Sequence, residues 1–381
     1  MKRRDIIAGA SAVAIGAGTI GALTKSSKTT KTSDIKRSDL ASPALSINRR
    51  EFKLATSWPK DFPGLGIMPV NVARMVKEMS GGRLDIKVFA AGELVGALEC
   101  FGATSTGAAD MYHAAEYYWQ GKVKGFSFFT AVPMGMTATE LMGWIDHGGG
   151  QALWDELSAN FNIKAFQAGN SGHQTGGWFK KEINSVGDFR GLKMRMPGLG
   201  GDVLREIGAA AINLPGGEIY QSLQSGAIDA TEWVGPWNDL AFGFYREAPY
   251  YYAPGFHEPG ASLALGVNLD VWNSLSKADQ AIIQYACKAT NDFSIGEYTY
   301  RNAVALNTLR NDHGIAPRIL PDDALRAIGT ASLDVLASMA NGDSETAKIY
   351  ESFAKTLKLQ REWTEIGEGA FIRARTLSDS Q

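Results

Sequence analysis

Apolar and polar residues follow two different periods near the start of the chain. Residues 52–56 alternate as in a β-strand, residues 72–79 repeat apolar positions every three or four places, and residues 84–88 alternate again. Gly81 and Gly82 end the helical pattern. A strand, a helix and a strand at this spacing predict a βαβ unit, and therefore a parallel sheet.

A second arrangement occurs twice. Gly-Glu-Leu at residues 92–94 precedes a helical pattern and then residues 107–111, and Gly-Glu-Ile at 217–219 precedes another and then residues 226–230. We interpret these as one supersecondary unit used once in each of two lobes, with both strand ends at a shared cleft. A chance match between common residues is the alternative. Roughly 335 residues follow residue 45, which is more than one hydrophobic core usually serves.

Helical periods dominate the last third of the chain. Ser276 with Asp279 resembles a helix start, and this helix is expected to run to about residue 312, long enough to brace both lobes. From Ile349 to Leu377 apolar residues recur at three- and four-residue steps, which predicts an amphipathic helix. Its apolar face is expected to pack on the lobes or on a second copy of the chain.

The N-terminus has the composition of an export signal. Basic residues at positions 2–4, including paired arginines, precede the Ala- and Gly-rich apolar residues 6–23. A twin-arginine signal over residues 1–23 fits this weakly hydrophobic segment better than a membrane span, with an uncleaved anchor as the alternative. The Ser-, Thr- and Lys-rich residues 24–48 are typical of a disordered linker. The protein is therefore expected in the periplasm.

Charge and cysteine content narrow the function classes. Residues 1–45 contain eight of the 38 Lys and Arg and three of the 40 Asp and Glu, which leaves the rest of the chain a net charge near −7. Nucleic acid binding needs a basic face, so this class is excluded. Cys100 and Cys287 lie in apolar helical contexts and are expected to be core thiols, although export would permit a disulfide.

A lone cation at a strand end is the first candidate for chemistry. In residues 192–197, Leu-Lys-Met-Arg-Met-Pro, both basic side chains share one face of a period-2 strand, and a Pro-Gly stop places Arg195 at its end. A guanidinium binds a carboxylate through two parallel hydrogen bonds, so Arg195 suits capture of a small organic acid. A surface salt bridge is the alternative.

A second strand end adds an acid and aromatic residues. Residues 228–237, Ile-Asp-Ala-Thr-Glu-Trp-Val-Gly-Pro-Trp, begin as a strand and end in a Gly-Pro turn. Glu232 beside Trp233 is typical of a ligand pocket, which has apolar walls and a few fixed polar groups. Two such junctions in one chain predict a binding site.

Four segments together resemble a known family: FAAGELVGAL, GNSGHQTGGWF, DFRGLKMRMPG and IDATEWVGPW. They are similar to the solute receptors of tripartite ATP-independent periplasmic (TRAP) transporters, most closely the branch that binds 2-oxo monocarboxylates such as pyruvate. The similarity runs from near residue 50 to the C-terminus. It implies a two-lobe α/β periplasmic binding protein fold with mixed and parallel sheets, and membrane subunits of a TRAP transporter as partners.

The resemblance also implies roles for individual residues. Gln174, Glu232 and the backbone oxygen of Trp233 would hold a cation that bridges to the ligand, and Arg195 would pair with the ligand carboxylate. Oxygen ligands suit Na⁺ or Ca²⁺. Na⁺ is favoured because Glu232 alone supplies one negative charge.

Aromatic residues after the strand at 107–111 are expected to close over the ligand. Glu116 stands where the resembling branch is expected to have a small residue, and a second carboxylate from Glu116 or Asp239 would favour Ca²⁺ instead. The full set of expected ligand contacts is Tyr117, Tyr118, Asn170, Gln174, Arg195, Trp233 and Trp237.

The chain is expected to divide into two lobes and a C-terminal segment. Lobe I covers residues 49–162 with a return segment at about 256–312, and lobe II covers residues 163–255. The C-terminal helical segment at 313–381 packs on the lobes or pairs two chains as a homodimer.

The expected function is a receptor for pyruvate, another 2-oxo acid or lactate. A periplasmic enzyme with Glu232 as general base is the alternative, but the sequence shows no paired acid and base and no activated nucleophile. Arg195→Met is expected to abolish acid binding and leave the fold intact.

Overall fold

The computed structural model describes residues 49–378. The expected export signal at 1–23 and the linker at 24–48 lie outside the described residues. Within residues 49–378, no helix combines the length and the apolar content that crossing a bilayer requires.

Eleven β-strands and twelve α-helices form the described part of the chain. The strands are β1 (Arg50–Thr56), β2 (Leu84–Phe89), β3 (Met111–Ala114), β4 (Ile163–Asn170), β5 (Gly177–Phe179), β6 (Lys193–Arg195), β7 (Ala210–Ile212), β8 (Ala230–Thr231), β9 (Tyr250–Ala253), β10 (Ser262–Asn268) and β11 (Arg318–Ile319). The helices are α1 (Ile67–Met79), α2 (Cys100–Ser105), α3 (Ala138–His147), α4 (Gly150–Ala159), α5 (Gly198–Glu206), α6 (Gly216–Ser225), α7 (Pro236–Phe242), α8 (Leu269–Asn273), α9 (Lys277–His313), α10 (Asp322–Ala340), α11 (Ser344–Ile366) and α12 (Glu368–Ser378). Short 3-10 helices add Glu116–Trp119, Lys124–Phe129, Val186–Phe189 and Phe244–Arg246.

The first sheet contains five strands in the order β2-β1-β3-β10-β4. β1 pairs in parallel with β2 and with β3, which confirms the predicted βαβ unit. Phe52 and Leu54 of β1 pack in one buried cluster with Val72 and Val76 of α1. β10 runs antiparallel to both β3 and β4, so the sheet is mixed.

The second sheet contains six strands in the order β11-β9-β5-β8-β6-β7. β6 is parallel to β7 and β8, whereas β5 is antiparallel to β8 and β9. The two predicted repeats lead to α2 and β3 in the first sheet and to α6 and β8 in the second. Two mixed sheets confirm the expected α/β fold class.

The chain passes from one sheet to the other later than the sequence indicates. Residue 163 is the expected start of lobe II, but β4 belongs to the first sheet. It pairs with β10 along its whole length, with Ile163 opposite Asn268 and Asn170 opposite Ser262. Its partner β10 follows about one hundred residues later in the chain, and the alternation of apolar and polar residues along β4 does not indicate which strand it will pair with. The crossing occurs instead at residues 171–176, and the return crossing occurs at residues 254–261.

These two crossing segments lie side by side. The backbone N–H of Gln174 donates to the carbonyl of Glu258 at 3.2 Å, and the N–H of Gly255 donates to the carbonyl of Gln174 at 3.0 Å. Two of the connections between the sheets are therefore hydrogen-bonded to each other.

Helix α9 is the expected long brace. The Ser276 hydroxyl accepts a hydrogen bond from the Asp279 N–H at 3.1 Å and donates to its carboxylate at 2.8 Å, which caps the helix start. The helix ends at Gly314, whose φ of 69° is the left-handed conformation that glycine adopts freely. It packs against β4 of the first sheet and against α7, which follows β8 of the second.

The C-terminal segment is mostly helical, although β11 within it adds an edge strand to the second sheet. Ile349 and Phe353 of α11 are buried in the large core cluster. The apolar residues beyond them are at least about three-fifths exposed at Leu359, Trp363, Ile366, Phe371 and Leu377. Cys100 and Cys287 are separate buried thiols, as expected.

Candidate functional site

Arg195 and Glu232 meet because their strands are parallel neighbours. β6 and β8 align Arg195 with Thr231, so Glu232 follows β8 directly beside the Arg195 strand end. The Arg195 Nη1 donates to the Glu232 carboxylate and, at 3.1 Å, to its backbone carbonyl. The Nε donates to the carbonyl of Leu214 at 3.2 Å. The pair is buried, with both side chains 1% exposed, so the surface salt bridge is excluded.

One donor of the guanidinium remains free in this arrangement. Burial is the largest influence on the pKa of Arg195 and acts to lower it, but Glu232 and the other acidic groups nearby together raise the pKa. The Arg195 Nη2 is buried without a hydrogen-bond partner, and the guanidinium carbon lies 5.0 Å from the centre of the Trp233 ring. A cation with a free donor against an aromatic wall is suited to a planar anion.

Gln174 lies in the crossing segment opposite this pair. Its Nε2 donates to the Ser171 hydroxyl at 2.9 Å and to the Glu258 carboxylate at 2.7 Å. These bonds fix the amide, while its Oε1 is buried without a partner. An oriented, unpaired carbonyl oxygen of this kind is a ready ligand for a hard cation.

His257 and Glu258 complete the polar cluster and come from the return crossing. The His257 Nε2 lies 3.2 Å from the Glu232 carboxylate. One ligand atom from each of Glu232, His257 and Glu258 falls within 4.8 Å of the others. Burial and then the Glu232 charge raise the pKa of Glu258 to about 7. Burial acts to lower the pKa of His257, but Glu232 raises it.

Aromatic and aliphatic side chains enclose these polar groups. The cavity beside Gln174 and Glu258 is lined by Trp58, Leu65, Tyr117, Tyr118, Trp233 and Leu263. The left-handed Gly198 (φ +62°) allows close packing, because a Cβ there would lie 3.0 Å from the Tyr117 ring. A Cβ at Gly216 would lie 2.4 Å from the Trp233 ring. Both contacts join the walls of the cavity to helix N-termini of the second lobe.

Trp58 is fixed by a buried histidine. Its Nε1–H donates to the His113 Nδ1 at 2.8 Å, and the His113 Nε2 lies 3.3 Å from the carbonyl of Ala168. This geometry requires a neutral imidazole with its proton on Nε2. Burial lowers the pKa of His113 to about 4.

Comparisons with known proteins identify the family of this chain. The sequence profile of the family described as bacterial extracellular solute-binding protein, family 7, matches residues 54–343. The chain belongs to this family.

Proteins similar to this chain include receptors for small acids. It is 40% identical over 319 residues to a Nostoc sp. protein named monocarboxylate 2-oxoacid-binding periplasmic protein, with 83% of this chain and 86% of that one covered. A TRAP periplasmic solute-binding protein from Pseudoalteromonas atlantica T6c, solved with bound sodium and pyruvate, has a TM-score of 0.83 at 41% identity and covers 85% of this chain and 99% of its own. Another from Colwellia psychrerythraea, solved with bound calcium and pyruvate, has a TM-score of 0.83 at 41% identity, with 86% and 99% covered.

Several residues expected from the sequence lie together in this solute-binding protein. Arg195, Gln174, Trp233, Tyr117 and Tyr118 surround the cluster, and Glu232 is at its centre. Asn170 lies at the end of β4, where its Oδ1 accepts from the Gly172 N–H at 2.8 Å and its Nδ2 is buried without a partner.

Three expectations need correction. Trp237 does not line the cavity; it begins α7 and its ring lies 5.1 Å from that of Tyr298. Asp239 is occupied by the indole N–H of Trp178 at 2.9 Å and the hydroxyl of Tyr251 at 3.2 Å, so it is not available as a second carboxylate. Glu116 accepts a hydrogen bond from the Tyr112 hydroxyl and is not one of the residues that line the cavity. The second carboxylate of the site is Glu258.

The oxygen atoms of the solute-binding protein fit a hard cation. Gln174 offers an unpaired amide oxygen, and Glu232 and Glu258 offer carboxylates that lie close to each other. Oxygen ligands of this kind suit Na⁺ or Ca²⁺. His257 is held by Glu232 and orients that carboxylate.

Proposed function

We propose that this chain is the extracytoplasmic receptor of a TRAP transporter, and that its two lobes close on a small 2-oxo monocarboxylate such as pyruvate, or on lactate. The observation that carries the proposal is a set of buried atoms without partners on the predicted residues: Arg195 Nη2, Gln174 Oε1 and Trp233 Nε1. Native proteins rarely leave such atoms unpaired, because each costs free energy in the interior. A bound acid and cation would satisfy them.

The chemistry of the site favours a carboxylate held together with a cation. Arg195 would donate to the acid carboxylate, while Gln174, Glu232 and the backbone oxygen of Trp233 would hold the ion. When bound, the ion would ligate an acid oxygen and offset the repulsion between the acid and Glu232. The relatives solved with pyruvate and either sodium or calcium support this arrangement. Glu258 adds a second carboxylate that sequence reasoning missed. A bound cation would favour its ionised form, and two negative ligands move the preference from Na⁺ towards Ca²⁺.

A fluorescence titration tests the proposal directly. Chelator-treated protein lacking residues 1–45 is titrated with pyruvate, lactate and succinate, each without added cation, with Na⁺ and with Ca²⁺. Saturable binding of a monocarboxylate that depends on one cation is the expected result, since Trp58 and Trp233 line the cavity. Trp233→Phe should lose most of the signal change, and Trp237→Phe is the matched control that should keep it. No response to any acid under any cation would refute the proposal.

We propose further that the receptor performs no catalysis. The Glu232 carboxylate is engaged by Arg195 and His257, so it is poorly placed to act as a general base. The family and the similar proteins are binding proteins. Incubation of the protein with pyruvate or lactate and the preferred cation should return the acid unchanged by NMR. Formation of a new product would contradict this and favour the enzyme.

The exposed apolar residues of α11 and α12 support a homodimer. Trp363, Ile366 and Phe371 are 71%, 72% and 64% exposed, and exposed large apolar side chains that form a patch mark an interaction surface. Sedimentation is expected to give a dimer, and Trp363→Glu a monomer. Ile319→Glu is the matched control, because Ile319 is equally exposed but lies on β11. A monomeric wild-type protein would end the hypothesis.

Export to the periplasm through the twin-arginine route is the final part of the proposal. It depends on the paired arginines at positions 3 and 4. Replacing both with lysine should abolish export of the precursor. Unchanged export would indicate another route.

A further inference from the structure

A second cavity lies in the first lobe, apart from the acid site. It is enclosed by α3, α4, β4 and α9 and has a volume of about 410 Å³. Met142, Ile145 and Phe166 form apolar walls. It shares no lining residue with the cavity beside Gln174 and Glu258. Its size and its apolar walls are those of a small-molecule site.

Two amide side chains of this cavity have unsatisfied polar atoms. Gln167 is 8% exposed and its Nε2 has no hydrogen-bond partner, and Asn291 is 2% exposed and its Oδ1 has none. They come from different elements, β4 and α9, and both line the cavity. A donor and an acceptor are thus left unpaired in one place, which is unfavourable unless something completes them.

Three charged side chains line the same cavity: Lys288, Asp146 and Asp292. The Lys288 Nζ lies 2.5 Å from the Asp146 Oδ1, and both side chains keep partial contact with water. The cavity therefore offers donors from Gln167 and Lys288 and acceptors from Asn291, Asp146 and Asp292. A ligand with a single charge would complement either the donors or the acceptors of the cavity, whereas a ligand with both charges would complement both.

We propose that this cavity binds the zwitterion of an α-amino acid with an apolar side chain. The carboxylate accepts from the Gln167 amide and the Lys288 ammonium group. The ammonium group of the ligand donates to Asn291 and Asp146. The apolar side chain of the ligand lies against Phe166 and its aliphatic neighbours. This ligand class differs from the monocarboxylate of the acid site, which has no ammonium group.

Calorimetric titration with L-leucine tests the proposal. The exported chain is first saturated with pyruvate and its cation, so that the acid site is filled. L-Leucine is expected to bind saturably with one site per chain. 4-Methylpentanoate and isopentylamine, which keep the side chain but only one charge each, should bind at least about tenfold more weakly, because each loses a set of charge-assisted hydrogen bonds. Equal binding of the three compounds, or no binding of leucine, would overturn the proposal.

Variants test whether the unpaired groups of the cavity bind the ligand or are completed by ordered water alone. Gln167→Leu and Lys288→Met should each weaken leucine binding by about tenfold or more, with pyruvate affinity unchanged. Lys288 is a surface position, so its variant remains informative if Gln167→Leu does not fold. Lys277→Met is the matched control, because Lys277 starts the same helix and contacts Gln280 outside the cavity. Unchanged leucine affinity in Lys288→Met would count against the assignment.

Discussion

Replacing Arg195 with methionine is expected to reduce both stability and affinity. The guanidinium is buried against the Glu232 carboxylate, so its removal leaves that carboxylate in the interior with only His257 beside it. Breaking a buried ion pair from one side costs on the order of 3–5 kcal/mol. The structure therefore replaces the expectation of an unchanged fold with a marked loss of stability.

The loss of affinity follows from the unpaired Nη2 of Arg195. A hydrogen bond to a charged group contributes about 1.5–3 kcal/mol. One such bond to the acid corresponds to roughly a 10–150-fold change in the dissociation constant. Binding of pyruvate should weaken by at least this factor under conditions where the variant is folded.

Urea unfolding of three variants isolates the effect on stability. Arg195→Met should be the least stable, and Arg195→Met with Glu232→Gln should recover part of the loss, because the uncompensated buried charge is gone. Lys193→Met is the matched control, since Lys193 lies two residues earlier on the same face of β6 and its side chain is 44% exposed. If Arg195→Met unfolds at the same urea concentration as Lys193→Met, the reasoning from the buried pair is refuted.

Three further predictions concern neighbouring residues. Burial lowers the pKa of His113 to about 4, so the histidine is protonated in the unfolded chain before it is protonated in the folded one. The free energy of unfolding should therefore fall by roughly 3 kcal/mol as the pH is lowered from about 6.5 to 4. Between pH 7 and pH 5 the fall should be smaller in His113→Gln than in the wild type, and equal falls would contradict the assignment. Glu258→Gln should weaken Ca²⁺ binding more than Na⁺ binding in calorimetry with pyruvate present, whereas equal losses would remove Glu258 from the ion site. Gly216→Ala should weaken pyruvate binding because its Cβ meets the Trp233 ring, and Gly217→Ala, whose Cβ meets nothing within 4 Å, should not; similar affinities would argue against a tight wall.

The parts of the molecule that depend on local pattern could be predicted from the sequence. The first βαβ unit follows from two alternating segments around a helical period, and the start of α9 follows from Ser276 and Asp279. Arg195 and Glu232 could be chosen because each ends a short strand, and parallel strands bring such ends together. Each residue could be chosen from its own local sequence, although their meeting depends on the distant pairing of β6 with β8.

The parts that depend on distant pairing or on helix phase could not be predicted. Nothing within β4 indicates that its partner is β10. Trp237 was a reasonable wall residue, but the phase of α7 turns its ring to Tyr298. Glu258 was missed because it lies in a loop remote in sequence from Glu232; its one local signal is an adjacent His and Glu between two Pro-Gly turns at 254–260.

The two crossing segments predict the order in which the ion and the acid bind. Gln174 and Glu258, which we assign to the ion, lie on the connections between the sheets and are joined there by backbone hydrogen bonds. An ion at this position would tie the connections together while the cleft is still open. We therefore expect the ion to add first and the acid second. The receptor would then bind the acid only where the ion is also present, and would not respond to the acid where the ion is scarce.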